Sequence, residues 1–80
     1  MSRRLHPSWL VTESIENPQH DRCVDLFTRP DATHGFEEFR RDPEDIGAWT
    51  PVAYFSALSF PSKPAALAEA HRRIPWLAAR

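Results

Sequence analysis

Three groups of residues in this sequence have the types and spacing to do chemistry. The first is His20-Asp-Arg-Cys23, an imidazole and a thiol three positions apart, with His34 following beyond a turn-like segment. Zinc takes four closed ligands, or three with an open position. The chain offers His20, Cys23 and His34, with Asp21 or His6 at a stretch, and it has no C-x-x-C pair. The same residues are its only Cys/His candidate for a nucleophile, and a reactive thiol needs an electropositive, partly exposed setting. Arg22 supplies one positive charge there, and Asp21 and Asp25 cancel it. A free Cys in an apolar strand is an ordinary small core residue, so we expect no metal, no cofactor and no thiol catalysis.

The second group is acidic: Glu37-Glu38 and Asp42, Glu44 and Asp45. Carboxylates serve as general acid and base when a pocket shifts their pKa values apart. These sit in a charged run with Arg40 and Arg41, which reads as a solvated, self-neutralising face. With Gly35 and Gly47 the only glycines, no phosphate-cradling loop can be written. We expect a non-enzymatic protein.

The third group is the block Gly35-Phe-Glu-Glu-Phe-Arg-Arg41, dense in arginine and aromatic rings. Trp, Tyr and Arg dominate the energetic centres of protein interfaces. We expect a protein contact surface formed by Phe36, Glu37, Arg40, Arg41 and Trp49, with rings as apolar anchors and guanidiniums as bidentate carboxylate binders. Self-association as a homodimer through a sheet edge is the nearest variant. The rival reading is a nucleic-acid-binding domain that uses Arg40, Arg41, Arg72 and Arg73. Against it stand Glu37 and Glu38, where phosphates would lie, and a formal net charge of −1.

These groups must be positioned by short elements, because eight prolines divide the 80 residues. Trp9 to Glu16 reads as a strand: Trp9, Val11 and Ile15 share a parity, and Glu13 is the misfit. Asn17 to Asp21 is a turn by composition. Arg22 to Arg29 is the clearest strand, apolar on both faces and therefore central. Pro30 to Gly35 turns the chain, and Phe36 to Asp42 returns as the second arm of a hairpin spanning 22–42. Phe27 opposite Phe39 would place Arg29 against Glu37 and Asp25 against Arg41. A short helix over Phe36–Arg41 is the alternative. After the polar loop from Asp42 to Gly47, Trp49 to Phe55 reads as a further strand, pushed to an edge by Pro51. Ser62 is an N-cap with Pro64 in the first turn, and a helix runs over about 63–74. Its stripe of Leu67, Ala70, Ile74 and Leu77 should meet Val24, Leu26 and Val52 or their neighbours. Pro75 ends the helix, and Trp76 and Leu77 fold back as a clasp.

The expected fold is thus α+β, a three- to four-stranded antiparallel meander packed by one C-terminal helix. Residues 1–8 would form a loosely ordered N-terminus and residues 9–80 a single small domain. The order of elements, antiparallel strands and then a helix with a closing Trp, resembles that of MbtH-like proteins, small accessory subunits of nonribosomal peptide synthetases. The Trp-Pro and Trp-Thr-Asp segments of that family are missing, so the resemblance implies no site residues here.

Composition bounds the rest. At 80 residues the chain is one domain at most, and no stretch approaches the ~20 apolar residues of a membrane-spanning helix. Nine of the ten basic residues are Arg, as a G+C-rich genome or selection for guanidinium contacts would give. One cysteine and an N-terminal segment without an apolar leader core lead us to expect a cytoplasmic protein. Charge is uneven: residues 1–35 sum to −1, 36–48 to −3 and 49–80 to +3.

Overall fold

A computed structural model describes residues 5–41 and 48–79. Four strands, β1 (Leu10–Glu16), β2 (Arg22–Thr28), β3 (His34–Arg41) and β4 (Trp49–Pro51), form one antiparallel sheet in the order β1-β2-β3-β4. A 3-10 turn (Phe55–Ala57) and two helices, α1 (Lys63–Arg73) and α2 (Pro75–Ala78), complete the chain. This is the expected α+β meander with a C-terminal helix, plus one further helical turn. The expected loop from Asp42 to Gly47 lies outside the described residues, as do residues 1–4 of the expected loose N-terminus. Residues 6–9 form a turn, with the Trp9 N–H donating to the His6 carbonyl at 3.0 Å.

The helices cover one face of the sheet. Ile15, Val24, Leu26 and Phe36 meet Ala66, Ala70, Ile74 and Leu77 there, with Phe55, Phe60, Leu67 and Trp76 at the margin. Ser62 caps α1 by accepting from the Ala65 N–H at 3.2 Å, and Pro64 occupies the first turn. Ile74 is extended, as a residue before proline tends to be, and Pro75 then opens α2. Two details differ from the expected stripe. Ala66 rather than Leu67 is fully buried, because small residues at 66 and 70 bring the helix close against Phe36. Val52 is 38% exposed and lies outside the core cluster.

The hairpin forms with a different register. Phe27 faces Gly35, Cys23 faces Phe39 and Asp25 faces Glu37, so the expected Phe27–Phe39, Arg29–Glu37 and Asp25–Arg41 pairs are absent. The cause is the turn. Arg29 N–H donates to the Thr33 carbonyl at 2.8 Å, and Ala32 N–H to the Arg29 carbonyl at 2.9 Å, with Ala32 at φ 72°. The Asp31 carboxylate accepts from the Thr33 N–H at 3.0 Å and hydroxyl at 2.7 Å, bonds that hold its pKa below the ordinary value. Closure at Thr33 leaves Gly35 inside β3, under the Phe27 ring. A Cβ there would lie 2.6 Å from the ring's Cζ, so only glycine fits.

Two further departures have local causes. A β-bulge between Val11 and Glu13 flips the parity of β1, so Ile15 enters the core while Val11 faces away from the helices. Glu13 therefore pairs with Lys63 of α1 at 3.2 Å instead of being a misfit. The strand expected over Trp49–Phe55 stops at Pro51. Val52 N–H still donates to the Glu38 carbonyl at 2.9 Å, but Tyr54 takes a left-handed conformation at φ 57° and turns the chain away. That conformation costs an L-residue about 1–2 kcal/mol. The chain returns at Phe60, which exchanges two 2.9 Å hydrogen bonds with His34.

Candidate functional site

The sheet brings arginine and tryptophan together at both ends. At the end closed by the β2–β3 turn, Trp9 stacks on Phe27 with ring centroids 4.7 Å apart and planes 10° apart. Arg29 lies 4.5 Å from the Trp9 centroid and 4.9 Å from that of Phe27. Its guanidinium donates to the carbonyls of Ser56 (2.6 Å) and Leu58 (3.2 Å) and to the hydroxyls of Thr33 and Ser59 (both 3.2 Å). From the other side the buried Glu37 carboxylate accepts from the N–H groups of Phe55 (2.8 Å) and Ser56 (3.2 Å). One anion and one cation thus hold the two ends of the 3-10 turn, each using backbone groups that a short turn leaves unpaired.

At the opposite end Arg22 and Arg40 face each other across β2 and β3. Like charges directly opposite are destabilising. Arg22 is relieved by Glu38, whose carboxylate lies 3.3 Å away and also accepts the Trp76 indole N–H at 2.8 Å. Arg40 is exposed. On the other face Arg41 stands 5.3 Å from the half-buried Trp49 ring. Among the described residues neither Arg40 nor Arg41 has a carboxylate within ion-pair distance.

The five residues expected to form a contact surface therefore separate. At this end Arg41 and Trp49 lie together on one face and Arg40 on the other. Phe36 joins neither: it is fully buried, with its ring centroid 5.1 Å from that of Phe55 and 5.9 Å from that of Phe60. Glu37, 1% exposed, is occupied by the 3-10 turn. The reason is shared. In its middle β3 is an inner strand buried on both faces, so neither parity of Phe36–Phe39 reaches solvent. The rival set also divides. Arg72 and Arg73 both bind Glu69, at 2.9 and 2.6 Å, and these bonds pull the Glu69 pKa down to about 2.

Other candidates are dispersed. His20 is exposed and lies 2.7 Å from Glu16, Cys23 is buried within β2, and His34 sits at the far end of β3. The five-residue strand separation between the levels of Cys23 and His34 is about 17 Å. Among the described residues no three His, Cys, Asp or Glu side chains are grouped to hold a metal. Nor is any helix of the described residues long and apolar enough to cross a membrane.

Sequence reasoning missed two neighbours of the arginine end. Arg22 enters only through the register. Val52, 38% exposed, follows β4, and its N–H donates to the Glu38 carbonyl. Comparison with protein-family models, with curated proteins and with solved structures finds no match to this chain.

Proposed function

We propose that the protein is a non-enzymatic interaction module, working in the cytoplasm, that binds an acidic segment of a partner protein through Arg40, Arg41 and Trp49. The observation that carries the reading is two exposed guanidiniums at one end of the sheet, without carboxylate partners among the described residues, of which Arg41 stands beside the half-buried Trp49. Planar guanidiniums bind carboxylates bidentately, and an anion also relieves the Arg22–Arg40 opposition. The lone cysteine, buried in the sheet, accords with a reducing compartment.

Nucleic acid is disfavoured because Arg72 and Arg73 bind Glu69 and so, among the described residues, do not extend the arginine pair into a basic track. Side-chain docking is favoured over strand addition because both sheet edges are guarded. β1 carries a bulge and the charges of Glu13 and Glu16. In β4, Val52 donates inward to Glu38, so alternation turns Pro51 outward, where it offers no N–H.

The test is selection of phage-displayed random peptides on the immobilised protein, with a random single-stranded DNA as counter-probe. The expected result is enrichment of peptides rich in Asp and Glu that bind wild type and not the Arg40→Glu/Arg41→Glu double variant. An empty selection, or preferred binding of the DNA with a steep loss in salt, overturns the reading.

A further inference from the structure

Arg22 and Arg40 are register partners on β2 and β3, and both side chains leave the sheet on the face that carries the helices. Arg22 reaches Glu38, Glu38 reaches Trp76 of α2, and Arg40 follows Glu38 by two positions of an alternating strand. Among the described residues one carboxylate serves this pair. The Glu38 side chain is 8% exposed, and its Oε2 accepts both the Arg22 Nη1 at 3.3 Å and the Trp76 indole N–H at 2.8 Å. The backbone of Arg22 is fixed as well. The Asn17 side chain, in a residue 8% exposed, accepts the Asp21 and Arg22 N–H groups at 3.1 Å each, and the Asn17 N–H donates to the Arg22 carbonyl at 3.0 Å.

Two like charges placed directly opposite weaken a sheet, and here one of them is held in place by a buried carboxylate. Glu38 takes one Arg22 donor, and a guanidinium carries about five. Residues opposite each other in an antiparallel pair stand about 4.5–5.5 Å apart, so both guanidiniums can close on a single oxyanion. Charge then separates the candidate anions. Two guanidiniums and one carboxylate leave one positive charge. A ligand carboxylate neutralises it. A phosphate monoester, at about −1.5 to −2, overcharges the site beside Glu38, whose burial limits screening by salt.

We propose that Arg22 and Arg40 clamp one carboxylate of the bound acidic segment, and that Glu38, positioned by Trp76, selects this monoanion over a phosphate monoester. The inference rests on the acidic-segment reading of Arg40 and adds Arg22 and Glu38 to it. Arg41 and Trp49, on the opposite face, take no part in the clamp.

The experiment takes the acidic peptides enriched on wild type, and a second set with phosphoserine in place of each Asp or Glu in turn. Titration calorimetry measures both sets on wild type, Arg22→Lys, Glu38→Gln and Arg40→Glu/Arg41→Glu. Arg22→Lys keeps the charge and the pairing with Glu38 but lacks the planar fork. It is expected to weaken the carboxylate peptides about tenfold with Tm unchanged. Glu38→Gln keeps an acceptor for the Trp76 indole and adds one unit of positive charge. Phosphoserine peptides, expected to bind wild type no tighter than their parents, should there bind about tenfold tighter than them. Wild-type affinity in Arg22→Lys, with binding lost in the double variant, overturns the clamp and leaves the acidic-segment reading standing. Phosphoserine peptides that bind wild type more tightly than their parents overturn the selection by Glu38, as does an unmoved preference in Glu38→Gln. Unchanged binding in the double variant overturns both readings.

Discussion

The two ends of the sheet use the same side chains for opposite purposes. Arg29 lies 4.5 Å from the Trp9 centroid and Arg41 lies 5.3 Å from that of Trp49. Arg29 also places its N–H groups on two carbonyls and two hydroxyls of its own chain. Arg41 and its neighbour Arg40 are exposed and have no carboxylate within ion-pair distance among the described residues. A guanidinium whose donors are consumed internally is architecture. One stacked and otherwise open keeps its hydrogen-bonding capacity for a ligand, and a stack on Trp leaves the planar fork free to engage a carboxylate.

Breaking that contrast is the most informative stability measurement. Arg29→Ala strands the Ser56 and Leu58 carbonyls and removes a charged group from the Trp9–Phe27 stack. Hydrogen bonds from charged groups contribute about 1.5–3 kcal/mol each, shared here among part-buried acceptors, so a loss of about 3 kcal/mol is expected. Arg40→Ala removes no hydrogen bond or ion pair with the described residues, and its change should stay within ~0.5 kcal/mol. Urea denaturation of both variants decides the matter. Equal losses would mean that the arginine at the open end is also structural.

Gly35→Ala probes the architectural end from the other side. The added methyl would sit 2.6 Å from Phe27 Cζ and 3.3 Å from an Arg29 nitrogen. Overpacking of this kind costs about 1–3 kcal/mol. The displaced Phe27 ring should also disturb its stack with Trp9, changing tryptophan fluorescence before global unfolding. A variant as stable as wild type, with unchanged fluorescence, would show that the stack moves aside without cost.

The sequence carried the fold through its punctuation. Ser62, Pro64 and Pro75 bracket α1, the doubly apolar run at Cys23–Phe27 marks an inner strand, and Pro51 marks an edge. Register was not legible, because it depends on where the turn closes. Asp31 and a left-handed Ala32 close it at Thr33, and propensity favours neither choice over a turn ending at Gly35. A single extra residue, Thr12, likewise inverts the parity of β1. Of the site, Arg40, Arg41 and Trp49 could be read because charge and position favour exposure. Phe36 and Glu37 could not be separated from them. On an inner strand covered on both faces, alternation does not distinguish interior from surface, and burial of a carboxylate requires partners that only tertiary structure supplies.

A third use of arginine supplies the smallest effect and the sharpest control. Arg72 and Arg73 converge on Glu69 in the last turn of α1 and hold its pKa at about 2, against an ordinary value of 4.5. A carboxyl lowered in the folded state stabilises fully above its ordinary value and loses that contribution as pH falls through 4.5 toward 2. Wild type and Glu69→Gln should therefore differ slightly in Tm at neutral pH and converge near pH 2, with salt narrowing the gap. A carboxyl titration of Glu69 by NMR with its midpoint near 4.5 would contradict the pairing. The same variant releases two guanidiniums onto an exposed helix end. If free arginine alone defined a docking surface, Glu69→Gln would gain a second site for the acidic peptides. With no Trp49 beside them, Arg72 and Arg73 should gain none, and the stoichiometry should stay at one peptide per chain. A second equivalent of bound peptide would show that charge without an aromatic anchor suffices, which would reduce the difference between the two ends of the sheet to electrostatics.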